Sequence, residues 1–167
     1  MAQITLGGKP CNTVGDLPMI GSIAPEFTLI KNDLSSDSLS NYRGKKVILN
    51  IFPSVDTGVC SASVRRFNQE AASLNNTVVI CVSRDLPFAQ KRFCAAEGIE
   101  NVITLSNFRD EGSFGKAYGV EILDGGFKGL NARSVVAIDP DGKVLYTELV
   151  PETGQEPNYG SAMAAVS

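Results

Sequence analysis

The 167-residue chain is 43% hydrophobic and 20% charged, the balance of an ordinary globular protein with enough length to bury its own core. Its net charge of −3 argues against nucleic acid or an anionic membrane as a main partner, because both reward clustered Lys and Arg. The absence of histidine rules out a Ser-His-Asp triad or a Cys-His dyad within the chain.

In chain order, "QITLGGKPCNT" reads as an N-terminal hairpin turning at "GGKP". The opening "MAQITLGGKP" lacks the basic start and apolar run of a secretory signal. "EFTLIK" is an expected edge strand, and "KKVILNIF" is a near-continuous apolar run suited to a strand buried on both faces. After Cys60, the apolar residues Val64, Phe67, Ala71 and Leu74 recur at helical spacing, so a helix begins close to that cysteine.

"TVVICVS" predicts a second buried strand, and its "VVICV" core is far shorter than the ~20 residues that cross a bilayer. "RDLPFAQKRFCAAEG" predicts a helix with Asp85 as N-cap, Pro87 in its first turn and Gly98 as its stop. "NVITLS" is a third strand and "GSFGKAYG" a short helix or turn. "RSVVAID" and "KVLYTEL" form a hairpin about "PDG", and "NYGSAMAAVS" a terminal helix. Alternating strands and helices closed by a hairpin predict one α/β domain over residues 1–167, with parallel strands at the centre of the sheet and antiparallel ones at its edge. A cytoplasmic address follows by default.

The four cysteines stand at 11, 60, 81 and 94 with no CxxC pair, so neither a zinc site nor any other metal or cofactor site is expected. Cys60 falls where a loop becomes a helix. Free amides and the helix dipole there favour a thiolate, the only form of cysteine that attacks well. Thr57 stands three residues earlier, within reach of a hydrogen bond to the sulfur, and Pro53 stiffens and shields the loop. The competing reading makes Cys60 the first residue of an apolar stripe. Cys94 lies on the flank of its helix, turned ~100° from an inward face of Ala89, Phe93 and Ala96. With polar Gln90 and Glu97 as neighbours, it is hard to explain as core packing. Cys81 reads as core and Cys11 as a tolerated loop thiol. Arg133 could reach the sulfur, yet residue by residue it does not rank above Arg43, Arg65 or Arg66.

"NIFPSVDTGVCSASVRRFNQ", "DLPFAQKRFCAAEGIENVITLS" and "KGLNARSVVAID" together resemble the bacterial thiol peroxidases, atypical two-cysteine peroxiredoxins. The likeness covers nearly the whole chain and includes P-x-x-x-T-x-x-C from Pro53 to Cys60. It implies a thioredoxin-like fold (a mixed central sheet flanked by helices) with an N-terminal β-hairpin. It also implies a homodimer that reduces hydrogen peroxide and alkyl hydroperoxides with thioredoxin as electron donor. By the same resemblance Cys60 is the peroxidatic cysteine, activated by Thr57 and Arg133 and shielded by Pro53, and Cys94 is the resolving cysteine. Cys81 matches a buried position without a catalytic role, whereas Cys11 departs from the family pattern. Two thiols on different helices do not begin within the ~4.4–6.8 Å Cα separation of a disulfide, so local unwinding is expected in each cycle. "CSAS" also keeps open a thioredoxin- or glutaredoxin-like disulfide reductase, and a non-catalytic binding module of the same fold remains the other alternative.

Overall fold

In the computed structural model, which describes residues 1–167, Gly7 and Gly8 adopt left-handed backbone with φ of 59° and 81°. That tight turn lets β1 (Gln3–Leu6) fold back antiparallel on β2 (Lys9–Asn12). Lys9 and Pro10, expected in the turn, belong to the second strand. The chain continues through β3 (Thr28–Ile30), β4 (Ser36–Ser38), a 3₁₀ turn (Leu39–Tyr42) and β5 (Lys46–Ile51) into α1 (Gly58–Ala71). There follow β6 (Thr77–Ser83), α2 (Pro87–Glu97), β7 (Ile103–Ser106), α3 (Ser113–Ala117), β8 (Ser134–Ile138), β9 (Val144–Leu149) and α4 (Tyr159–Ala165).

Apart from the hairpin, the strands form one seven-stranded mixed sheet in the order β4-β3-β7-β6-β5-β8-β9. The central strands β5, β6 and β7 are parallel, while β8 and β9 on one side and β3 and β4 on the other run antiparallel. The parallel centre has apolar cores on both faces, which is why β5 and β6 read as unbroken apolar runs. Alternate residues Val47, Leu49 and Ile51 enter one core with the hairpin, α3 and Tyr118. Ile48 enters the other with Cys60, Phe67, Cys81 and Tyr159.

Three local expectations differ from the structure. The strand read as an edge, β3, is flanked by β7 and by β4, a polar strand with no apolar period to mark it. Helix α2 starts with Pro87 in its first turn and ends on left-handed Gly98 as expected, but Leu86 is its N-cap and Asp85 serves another loop. Its inward face is Pro87, Gln90, Cys94 and the expected Phe93, whereas Ala96 is exposed. Buried hydrogen bonds turn the helix there: Gln90 Nε2 donates to Ser83 Oγ (3.0 Å) and to the Leu105 carbonyl (3.0 Å).

Helix α1 is held by the stripe Cys60, Val64 and Phe67, all fully buried. The Phe67 ring meets Tyr159 of α4 edge to face, with centroids 5.2 Å apart. Truncating Phe67→Ala should cost roughly 3–5 kcal/mol in the urea unfolding free energy, since a close-packed core leaves a cavity there.

Candidate active site

Strand β5 ends where the ladder does. Phe52 N–H still donates to the Val82 carbonyl (3.1 Å), but buried Pro53 has no N–H to continue it. The chain turns through residues 54–57, and α1 begins at Gly58 behind Thr57 as N-cap, in extended backbone. Cys60 is therefore the third residue of the helix. The amides of Gly58, Val59 and Cys60 have no backbone acceptor, the usual condition of a first helical turn. Cys60 thus stands at the positive end of the helix dipole.

Arg133, at the mouth of β8, completes this environment from the far side of the sequence. Its Nη2 donates to Cys60 Sγ (3.2 Å) and to the Thr153 carbonyl (3.0 Å), and its Nε donates to the same carbonyl (3.1 Å). Arg133 is 2% exposed and Cys60 0%. The remaining nitrogen, Nη1, is buried without any acceptor. No carboxylate lies within ion-pair distance of the guanidinium. By contrast Arg65 and Arg66 pair with Glu97 and Glu70, and Arg43 donates to the Asp141 carbonyl. Geometry thus separates Arg133 from the rivals that sequence alone leaves equal.

A cleft of about 130 Å³ opens above this centre, lined by Leu6, Thr57, Val59, Phe127, Arg133 and Thr153 among others. Its walls mix apolar side chains with the guanidinium, so a small polar head on an apolar body fits them. Thr57 lines the cleft but does not bond the sulfur: its hydroxyl donates to the Ser54 carbonyl (3.1 Å) and fixes the turn before the helix.

Asp85 is a structural member of the site that its position disguised. It stands two residues before Pro87 and so resembles an N-cap. Its carboxylate instead accepts from Ser54 Oγ (2.7 Å), Val55 N–H (2.9 Å) and Ser83 Oγ (2.6 Å). One carboxylate therefore ties the loop leading to Cys60 to the end of β6. Ser83 links on to Gln90, one helical turn before Cys94.

The other thiols occupy separate places. Cys94 lines a cleft with Asn32 and Thr104 that shares no residue with the cleft at Arg133. Its Sγ is 3.8 Å from Thr104 Oγ1, which donates to Asn32 Oδ1 (2.8 Å). Burial raises the Cys94 thiol above its ordinary range, with Thr104 opposing. Cys81 lies wholly inside the sheet, touched by Asn50 Nδ2 at 3.7 Å, and burial pushes it up to about 12. Cys11 is not in a loop: it sits in β2 opposite Ile4, inside the core, and burial with Asp124 and Glu152 nearby raises it. All four thiols are free, and no group of three or more Cys, Asp or Glu side chains is arranged to hold a metal ion.

Because a raised thiol is protonated at neutrality, its labelling must grow as pH rises. Titrating the native protein with iodoacetamide at increasing pH should label Cys94 before Cys81 and Cys11, read by peptide mapping. Early Cys81 labelling would contradict its burial.

Comparison with known proteins matches this geometry to a family. Residues 19–163 match the Redoxin family. The chain is 61% identical to the thiol peroxidases of Mycobacterium bovis and Mycobacterium tuberculosis over 166 residues, 99% of each chain. A peroxiredoxin-like protein from Aquifex aeolicus superposes with a TM-score of 0.93 at 39% identity, covering 99% of this chain and 96% of that one. The thiol peroxidase from Chromobacterium violaceum shares the fold, with a TM-score of 0.89 at 21% identity over 96% and 93%. No helix is long and apolar enough to cross a membrane. The chain belongs to the thiol peroxidases, enzymes of the peroxiredoxin group with a Redoxin, thioredoxin-like fold.

Proposed function

We propose that Cys60 is the peroxidatic thiol, Cys94 the resolving thiol, and thioredoxin the reductant of the disulfide they form. The observation that carries this reading is the Arg133 guanidinium held 3.2 Å from Cys60 Sγ with one buried nitrogen, Nη1, left without an acceptor. Nη2 stabilises negative charge on sulfur, and Nη1 is free for a peroxide oxygen entering the cleft. Thr57 shapes the turn and the cleft wall, and Pro53 ends β5 so that the chain turns toward the helix.

In the first step the Cys60 thiolate attacks the terminal peroxide oxygen. An S–O bond forms as the O–O bond breaks, and the departing oxygen takes a proton from solvent to leave as water or an alcohol. Sulfur is oxidised to the sulfenic acid by the two electrons that the peroxide gains. Cys94 then displaces water from that sulfenic acid to give the disulfide, which a dithiol of the thioredoxin kind opens by exchange. The cleft's Leu6 and Phe127 favour alkyl hydroperoxides alongside hydrogen peroxide. Because Cys60 is buried in α1 beneath one cleft and Cys94 lines another on α2, the second step requires the first turn of α1, part of α2, or both to unwind. Exposed apolar side chains at the start of α2, Leu86 and Phe88, support a homodimer or reductant contact beside the site.

A non-reducing peptide map after one equivalent of peroxide should link the Cys60 and Cys94 peptides. Linkage through Cys11 or Cys81 would reassign the pair. Replacing Cys60→Ser should abolish peroxide consumption, and Cys94→Ser should stop turnover after a single sulfenic acid forms. Among the arginines, Arg133→Met should slow Cys60 oxidation roughly 100-fold, the effect of losing one preorganised donor. Arg65→Met should leave that rate close to wild type, and equal losses from both would remove the special role of Arg133.

A further inference from the structure

We infer that Glu152 is a positioning residue for Arg133, acting through the N-terminal hairpin and Thr153; this rests on Cys60 being the peroxidatic thiol. Segment 150–158 has no ladder of its own, since β9 ends at Leu149 and α4 begins at Tyr159. Yet its Thr153 carbonyl receives two of the three hydrogen bonds that the Arg133 guanidinium makes. A carbonyl in such a segment holds a guanidinium only if something holds the carbonyl.

The hairpin does so, through three consecutive residues. Thr5 N–H donates to the Pro151 carbonyl (2.8 Å), and Thr153 N–H (2.8 Å) and Oγ1 (2.9 Å) both donate to the Thr5 carbonyl. Between them the Glu152 carboxylate accepts from Thr5 Oγ1, from Gly7 N–H (2.8 Å) and from Gly8 N–H (3.3 Å). The left-handed turn points both glycine amides at one carboxylate. The Thr5 hydroxyl and these amides keep the Glu152 carboxyl below its usual range, so it carries its charge at neutral pH. The same hairpin supplies Leu6 to the cleft wall. The chain of contacts therefore runs from Glu152 through Thr5 and Thr153 to Arg133 and ends on the Cys60 sulfur.

A mutational cycle with Arg133 separates positioning from general support. The rate of Cys60 oxidation by hydrogen peroxide is measured in a single turnover, quenched with an alkylating agent and read by mass, on proteins checked by thermal melting. Glu152→Ala and Thr5→Val should each slow it roughly tenfold, because small misplacements of a donor cost rate steeply. Glu152→Gln, which keeps an acceptor oxygen, should recover part of that loss. In an Arg133→Lys background, which cannot use the carbonyl in the same way, Glu152→Ala should add little further loss. Wild-type rates in both Glu152→Ala and Thr5→Val would overturn the inference, as would full multiplication of the Glu152→Ala and Arg133→Lys losses. Failure of the unmodified protein to oxidise Cys60 at all would instead overturn the peroxidatic assignment beneath it.

Discussion

A permanently charged guanidinium buried without a carboxylate governs this structure. Arginine does not shed its proton inside a protein, and an uncompensated buried charge costs several kcal/mol. Arg133 has only a carbonyl, a sulfur and one empty direction around it. Cys60 is the one group touching it that can take negative charge. In a chain without histidine, Cys60 stands at a helix N-terminus with a fixed cation 3.2 Å from its sulfur.

The scaffold serves that pair from two directions. Strand β5 and the turn after it deliver Cys60, and β8, antiparallel beside β5, delivers Arg133. Pairing of Ile51 with Ser134 sets the register that brings the two together across 73 positions of sequence. Asp85 then pins the approach to α1 through Ser54 and Val55. These are hydrogen bonds at the ends of elements rather than within them. They can open without melting the sheet, as the proposed joining of Cys60 to Cys94 requires.

The buried polar atoms without partners follow the same pattern. They are Arg133 Nη1, Asn50 Oδ1 and Gln90 Oε1. The first stands beside Cys60, the second belongs to the side chain touching Cys81, and the third lies one helical turn before Cys94. Each such atom destabilises the folded state. Only the first of them stands against the sulfur proposed to react, and Cys81 beside the second is buried and inert.

Elements whose identity depends on neighbours in sequence were legible in the chain alone. The runs at 46–51 and 77–83, the Pro87 and Gly98 boundaries of α2, the turn at 140–142 and the helical stripe from Cys60 to Ala71 appear as expected, although Leu74, read as its last member, lies past the end of α1. The motif from Pro53 to Cys60 is legible too, because it spans one unbroken passage from strand to helix. What depended on long-range placement was not legible. The polar strand β4 carries no period, Gln90 looks solvent-exposed until Ser83 and Leu105 close on it, and Cys11 looks like a loop thiol until Ile4 pairs with it. Arg133 outranks other arginines only once β8 lies against β5, and no side-chain pattern marks the Thr153 carbonyl that orients it. Local sequence determines which segments become strand or helix through periodicity and caps. Sheet register alone decides which distant charge meets the sulfur, because that meeting is made by pairing strands and not by the residues beside it.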